Sequence, residues 1–464
     1  MTTDPASGPA HRRLSRSAGD GRPAAPVRIV HLGLGNFSRA HQAWYTDHAP
    51  DAASWGIAAF TGRSPDLAEA MAPQDGLYTM VTRNSDGDRF EVVSSISAVH
   101  AASEHEAWLA YLCSPDLAII TITVTEAGYL RAADGGLDVD NGRIREDLAA
   151  LRGDPTVVVG TVPARLVAGL LARRGADAGP VTVVPCDNLP ENGVVVSRVV
   201  AQLAALVDPS LPEWIARNVS WVTTMVDRIT PEPTHDDRES VRAATGVADP
   251  ATVVTEPFAE WVLSGLFPAS RPAWEQAGAR IVEDVAPFEQ RKLWLLNGAH
   301  SLMAYAGGIR GHETVADAIA DPLCRGWVHD WWEEASRHLR VTAEEASAYR
   351  LALLERFENP RIRHLLAQIA TDGSQKIPVR IVPVLRRERA AGRSGAGAAR
   401  ALAAWVCHLR GAVAPVNDPR SGELATLMSG TLAESVTNVL SLLGIEDSGL
   451  DQLILAQTTE LVSR

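Results

Sequence analysis

The feature that most constrains this chain lies within residues 27–48. Val27-Arg28-Ile29-Val30-His31-Leu32 is a short β-type run, and it passes directly into Gly33-Leu34-Gly35-Asn36-Phe37-Ser38 and a helical stretch over 39–48. A strand, a Gly-x-Gly-x-x-small turn and a helix in that order make the phosphate-binding corner of a dinucleotide-binding βαβ unit. Gly33 permits the tight turn, and Gly35 lets the backbone approach a pyrophosphate. The first N–H groups of the helix then present partial positive charge to the phosphates. Gly33, Gly35, Asn36 and Phe37 are the candidate cofactor residues of this turn. Ser38 replaces the fingerprint's third glycine.

The rest of the first half repeats the alternation. Further β-type runs occur at 56–60, 90–96, 117–125 and 181–185, with helical patterns at 105–112 and 163–174. Strands alternating with helices predict a mostly parallel, doubly wound α/β sheet. After about residue 285 the composition turns to long Ala/Leu/Arg-rich segments, which predict a mainly α-helical second domain. Residues 387–397 read as a polar loop or a helix end. The expected organisation is a disordered tail over 1–26, a Rossmann-type dinucleotide-binding domain over 27–284 and a helical substrate and catalytic domain over 285–464.

Bulk properties exclude several classes. The formal charge of −13 over 464 residues opposes nucleic-acid binding, which needs a basic face. No apolar run approaches the roughly 18 residues of a membrane-spanning helix, and the N-terminal residues lack the apolar core of a secretory signal. The four cysteines, Cys113, Cys186, Cys324 and Cys407, form no closely spaced pair. That argues against a zinc knuckle or redox motif and fits a reducing cytoplasm. A soluble cytoplasmic monomer or small homo-oligomer acting on a small molecule is expected.

Two charges bear on cofactor choice. Asp66 follows the second β-run in Thr61-Gly62-Arg63-Ser64-Pro65-Asp66. A carboxylate there favours NAD by repelling the extra phosphate of NADP, whereas Arg63 could accept that phosphate, so NADP stays open.

The strongest chemical signal is the stretch 288–303, Phe-Glu-Gln-Arg-Lys-Leu-Trp-Leu-Leu-Asn-Gly-Ala-His-Ser-Leu-Met. On an α-helix at about 100° per residue, Asn297 lies about 140° and His300 about 80° from Lys292. An amine, an amide and an imidazole then share one arc with Leu293 and Leu296. Oxidising a secondary alcohol without a metal needs a base for the hydroxyl proton and donors for the developing alkoxide. A lysine serves as base only when its pKa falls below the usual ~10.4. A second amide, Asn188, directly follows a strand in Cys186-Asp187-Asn188-Leu189-Pro190-Glu191-Asn192-Gly193, where open α/β sheets bind ligands.

Taken together, these segments resemble the mannitol dehydrogenase family of polyol-specific long-chain dehydrogenases. The markers run collinearly from the Gly33 turn through Thr123-Val124-Thr125-Glu126-Ala127-Gly128-Tyr129, the Asn188 segment and Met225-Val226-Asp227-Arg228-Ile229-Thr230-Pro231. They continue through Glu256-Pro257-Phe258, the Lys292 helix and Asp372-Gly373-Ser374-Gln375-Lys376-Ile377-Pro378. The resemblance implies Lys292 as general base, Asn188 and Asn297 as the oxyanion-stabilising pair, and His300 and Asp227 as holders of substrate hydroxyls. It implies Lys376 as an anchor for the substrate chain, and Glu126 and Glu289 as proton-relay carboxylates. It further implies a site in the cleft between a Rossmann-type domain and a helical one, with no metal. Two departures stand out: Ser38 replaces a usual His, and Gln368 stands where some mannitol dehydrogenases carry a substrate-contacting Arg. Arg380 could hold a substrate carboxylate; the alternative is a surface residue on a helical face.

The leading expectation is interconversion of a hexitol such as mannitol and its 2-ketose with NAD. A fructuronate-type hexuronate reductase comes second, and a mannitol-1-phosphate 5-dehydrogenase third, for want of a basic cluster for a substrate phosphate. From another class, a non-catalytic dinucleotide-binding regulator would call for a broken Lys/Asn/Asn set, and Lys292, Asn188 and Asn297 are all present.

Overall fold

The structure is a computed structural model that describes residues 12–447 and 449–463. It divides into two compact units, one ending at Val285 and the other beginning at Ala286.

The first unit is built on a six-stranded sheet in the order Ile96–His100, Gly56–Thr61, Val27–Leu34, Ile119–Ile122, Val181–Pro185, Val219–Trp221. Every neighbouring pair is parallel. Gly56–Thr61 and Val181–Pro185 are buried along their whole length, as expected for strands covered on both faces. One core packs Val30, Leu32 and Ile120 against Val167, Leu170 and Val200. The other sets Ile29, Ile57 and Ile119 against Tyr45, Met80 and Trp261. The chain leaves Val27–Leu34 toward one side and later returns on the other, so the sheet changes direction of winding between Val27–Leu34 and Ile119–Ile122. Open α/β sheets bind ligands outside the carboxyl ends of their strands at such a switch point.

Several sequence expectations need correction here. The β-run at 90–96 is two strands in two sheets. Gly87–Val93 pairs antiparallel with Tyr78–Asn84, and Ile96–His100 forms the edge of the parallel sheet. The break falls at Ser94 and Ser95, whose backbone and side chain are claimed by Asp47 Oδ1 (2.7 Å) and the Ala43 carbonyl (2.7 Å). The helix expected over 39–48 is interrupted at His41, leaving Asn36–Ala40 and Gln42–His48. The buried His41 ring lies against Phe37, Tyr45 and Trp261.

The disordered tail over 1–26 is also corrected from residue 12 onward, while residues 1–11 lie outside the described residues. Leu14 is buried against Leu77 and Val247. The Arg16 guanidinium donates to the Ser94 and Ile96 carbonyls (2.9 and 2.8 Å). The Arg22 guanidinium donates to the Asp47 carbonyl (2.8 Å) and carboxylate (2.6 Å), so one leucine and two arginines help tie down a segment whose composition reads as tail.

The second unit is helical; its one β-type feature among the described residues is an isolated bridge between Thr314 and Leu365. Its centre is the helix Ala396–Leu409, buried along most of its length beside Leu450–Ser463 and Pro322–Ser336. Residues 387–397 comprise the end of Val382–Ala390, a short turn and the start of Ala396–Leu409. Among the described residues no helix is long and apolar enough to cross a membrane.

Candidate active site

In the first unit, a cleft of about 490 Å³ opens at the carboxyl ends of the central strands. Gly33, Leu34, Thr61, Thr123 and Thr161 form its base, and Arg63, Asp66 and Arg143 stand at its sides. Gly33 has φ +101°, and a Cβ there would collide with the Thr123 carbonyl. The turn therefore passes so close to the neighbouring strand that a side chain is excluded, as a dinucleotide cradle requires. Gly35, Asn36 and Phe37 are not among the cleft's lining residues. The Asn36 amide donates to Glu232 (2.6 Å), and Phe37 stacks on His41 (4.9 Å). The Ser38 hydroxyl accepts from the Gly35 N–H (3.0 Å) and donates to the Gly35 carbonyl (3.2 Å). Ser38 thus closes the turn internally. Asp66 begins the helix Asp66–Met71 and faces the cleft together with Arg63, so the two opposed charges of the sequence share one space.

Asn188 is exposed in the loop after Val181–Pro185, and Asp227 is buried at the end of Thr223–Asp227. The loop is held by residues that sequence reasoning passed over. Asn192, fully buried, donates to the Pro185, Asp187 and Thr224 carbonyls (3.3, 3.4 and 3.1 Å) and accepts from the Thr224 N–H (2.9 Å). Asp187 accepts from the Tyr129 hydroxyl (2.5 Å) and the Leu189 N–H (2.9 Å). Burial raises the Asp187 carboxyl pKa, and these two donors oppose it. Glu126 opens the exposed turn Glu126–Tyr129, whose last residue supplies that tyrosine.

In the second unit, Lys292–Gly298 is π-helical, not α-helical, and a second π segment covers Met303–Gly307. The i→i+5 pattern widens the turn. Asn297 therefore swings back toward the side that Lys292 occupies, well inside the about 140° expected of an α-helix. Both side chains are half-buried on a segment whose Trp294, Leu295 and Leu296 are buried. Widened turns are costly and cluster at functional sites, and three groups hold this one. Trp331 Nε1 donates to the Trp294 carbonyl (2.9 Å), and Trp332 Nε1 to the Leu295 carbonyl (2.9 Å). Arg380 Nη1 donates to the Asn297 carbonyl (3.4 Å) and the Ser301 hydroxyl (3.1 Å). The side chain has no room at Gly298, where a Cβ would lie 2.6 Å from the Trp331 ring. No sequence pattern marks indoles as partners of a distant helix. Trp332→Phe loses one buried hydrogen bond and the volume of the second ring at a fully buried position, so it is expected to destabilise the protein by about 2–3 kcal/mol. Chemical denaturation checks this, and unchanged stability would show that the bond contributes nothing.

His300 is buried, with its ring 5.0 Å from Phe357 and 4.9 Å from His364. Glu289 is half-buried on Ala286–Arg291, the turn before Lys292. Lys376 and Arg380 lie on Gly373–Arg380. Lys376 Nζ donates to the Ile369 carbonyl and the Thr371 hydroxyl (both 3.2 Å), and burial followed by the charge of Arg380 lowers its pKa. Arg380 is half-buried against the helix that carries Asn297, which overturns its reading as a surface residue. Gln368 is exposed.

His312, Asp321 and Cys324 form a cluster with metal-ligand atoms close together. Its carboxylate is engaged by Arg310 and His312 and caps the helix Pro322–Ser336 through the Leu323 N–H (2.9 Å). A guanidinium on the shared oxygen makes this an ion-pair network.

The sequence matches the model of the mannitol dehydrogenase Rossmann domain over residues 27–276 and that of the mannitol dehydrogenase C-terminal domain over 284–461. It is 38% identical to the D-mannonate oxidoreductase of Escherichia coli (strain K12) over 394 residues, 83% of this chain and 80% of that protein. It is 39% identical to the D-arabinitol 4-dehydrogenase of Ralstonia nicotianae over 372 residues, 78% of each. Among solved structures, it is similar to the Pseudomonas fluorescens mannitol 2-dehydrogenase ternary complex with NAD and D-mannitol, at 32% identity and a TM-score of 0.76. That likeness covers 95% of this chain and 92% of the other.

Proposed function

Because this chain belongs to the mannitol dehydrogenase family of oxidoreductases, we propose that it interconverts a secondary alcohol of an acyclic sugar chain and the matching ketone, using NAD and no metal. A hexitol such as mannitol with its 2-ketose, and a sugar acid of the hexuronate type, are the two substrate readings. The observation that supports the reading is the π-helical segment that carries both Lys292 and Asn297, each half-buried beside the buried Trp294, Leu295 and Leu296.

Bound NAD would supply a hydride acceptor for the carbinol carbon. The Gly33 cradle and the cleft around it suit a dinucleotide. Lys292 Nζ, in its neutral form, takes the hydroxyl proton as the C=O bond forms and the hydride departs; in reduction it returns that proton to the ketone oxygen. Asn188 and Asn297 donate to the developing alkoxide without a proton of their own to lose. His300, Asp227 and Lys376 hold the remaining hydroxyls, and Glu126 and Glu289 pass the proton between Lys292 and water. Four cysteines without a disulfide suit a reducing, cytoplasmic setting.

The test is a spectrophotometric screen of the purified chain with NAD and NADP against hexitols, ketohexoses, ketohexuronates and hexitol phosphates. Turnover that persists in a chelator supports the metal-independent reading, and loss restored by zinc overturns it. Cofactor binding without turnover on any of the panel would favour the regulator instead. NAD is expected to be preferred, and Asp66→Ala to raise the NADP/NAD ratio of kcat/KM about tenfold by removing repulsion of the 2′-phosphate. A wild type that already prefers NADP would make Arg63 the governing residue.

A further inference from the structure

Lys376 and Arg380 stand one turn apart on Gly373–Arg380, both half-buried. Among the described residues neither pairs with a carboxylate. Lys376 is bonded to a carbonyl and a hydroxyl, and so is Arg380 through Nη1. The acids whose charges reach Lys376 are Asp372 and Asp418. Asp418 is already occupied by the Ser374 N–H (2.8 Å), the Ser374 hydroxyl (2.6 Å) and the Arg420 N–H (2.9 Å). Asp372 accepts from the Thr371 hydroxyl (3.4 Å). Like charges at i,i+4 repel, and half-burial weakens their solvation. The Nε and Nη2 groups of Arg380 make no hydrogen bond among the described residues, whereas Nη1 is fixed to the Asn297 carbonyl. An unfilled two-donor edge therefore lies beside the turn that presents Lys292 and Asn297.

We infer that the substrate ends in a carboxylate, gripped by the open edge of Arg380 with Lys376 beside it, and that this chain is built for an acyclic sugar acid rather than a neutral hexitol. The inference rests on the proposed alcohol–ketone reaction and decides its substrate class. A planar guanidinium edge matches the two oxygens of a carboxylate, and charge-assisted bonds of this kind are about twice as strong as neutral ones. The Nη1 contact fixes how far the anchored end lies from Asn297, so the carboxylate would set which carbon meets Lys292.

The experiment measures kcat/KM of the full-length protein at saturating NADH for a ketohexose, a ketohexuronate and a ketohexose phosphate. The wild type is expected to favour the ketohexuronate over the ketohexose by about 100-fold, the effect of a lost charged hydrogen-bond pair. Arg380→Gln should collapse that ratio to within about threefold, chiefly through KM of the acid. Arg380→Lys should recover part of it, since the charge returns without the fork. A wild type that prefers the ketohexose or the phosphate overturns the inference. So does an Arg380→Gln variant that loses equally on acid and neutral substrates, which would leave Arg380 only its bond to the catalytic turn. If nothing turns over, the proposed reaction fails separately. Calorimetric titration of D-mannonate and D-mannitol into the NADH-loaded protein then decides: tighter mannonate binding that Arg380→Gln abolishes supports the inference, and equal binding overturns it.

Discussion

Lys292→Ala is expected to lower kcat for oxidation and reduction by about 10²–10⁴-fold, the usual contribution of a positioned general base. The fold should survive the change. Lys292 is half-buried, and its segment is held by Trp331, Trp332 and Arg380 and by the buried Trp294, Leu295 and Leu296. Alanine is also a good helix former. NADH affinity and the thermal transition should therefore match the wild type, which separates loss of chemistry from loss of structure. The pH dependence gives a second readout. Oxidation consumes the neutral amine and should rise with pH through one ionisation. Reduction consumes the ammonium and should fall through the same ionisation. Both trends should vanish in Lys292→Ala, and small primary amines added to the buffer should restore part of the rate. Near-normal turnover by this variant would remove Lys292 from the mechanism.

Gly33→Ala is expected to weaken dinucleotide binding by about 100-fold. The position has φ +101°, where an L side chain is strained, and the new methyl would collide with the Thr123 backbone carbonyl on the adjacent strand. Backbone strain of this kind costs on the order of 1–3 kcal/mol. A carbonyl inside a sheet cannot move aside as a flexible side chain does, so the turn must shift instead. That turn forms the base of the cleft. Fluorescence titration with NADH reads the loss directly. Wild-type affinity in Gly33→Ala would show that this cleft does not take the cofactor. The strain is local to the first unit, so secondary structure over 286–463 should be unaffected.

The elements that sequence reading located well are those specified by short-range rules. The alternation of β-branched runs with helical patterns located the strands at 27–34, 56–61 and 181–185 and the helices at 105–112 and 162–175, because side-chain periodicity and backbone preference act over a few residues. The Gly33 turn was legible for the same reason: only glycine suits a positive φ pressed against a neighbouring strand. The structure departs from the local pattern where distant residues intervene. Ser94 and Ser95 have the local pattern of mid-strand residues, yet Asp47 and Ala43 claim them and switch the chain between sheets. Residues 12–26 have the composition of a tail, because one buried leucine and two arginines carry no compositional weight.

The candidate site divides along the same line. Sequence by itself determined which chemistry-bearing groups are present: Lys292, Asn297, His300, Asn188, Asp227, Lys376 and Arg380 all follow from residue type, spacing and family likeness. Tertiary structure alone decided how several of them are held. The π-helical turn that carries Lys292 and Asn297 is stabilised by indoles 37 residues away and by a guanidinium 83 residues away. The Asn188 loop is tied by Asn192 to a carbonyl 32 residues on. Of the two readings of Arg380, a carboxylate holder or a surface residue, burial against the Asn297 turn sets aside the second. The physical reason is that a hydrogen bond or a burial is set by whichever atoms arrive, and the chain separation between them leaves no periodic trace in the sequence.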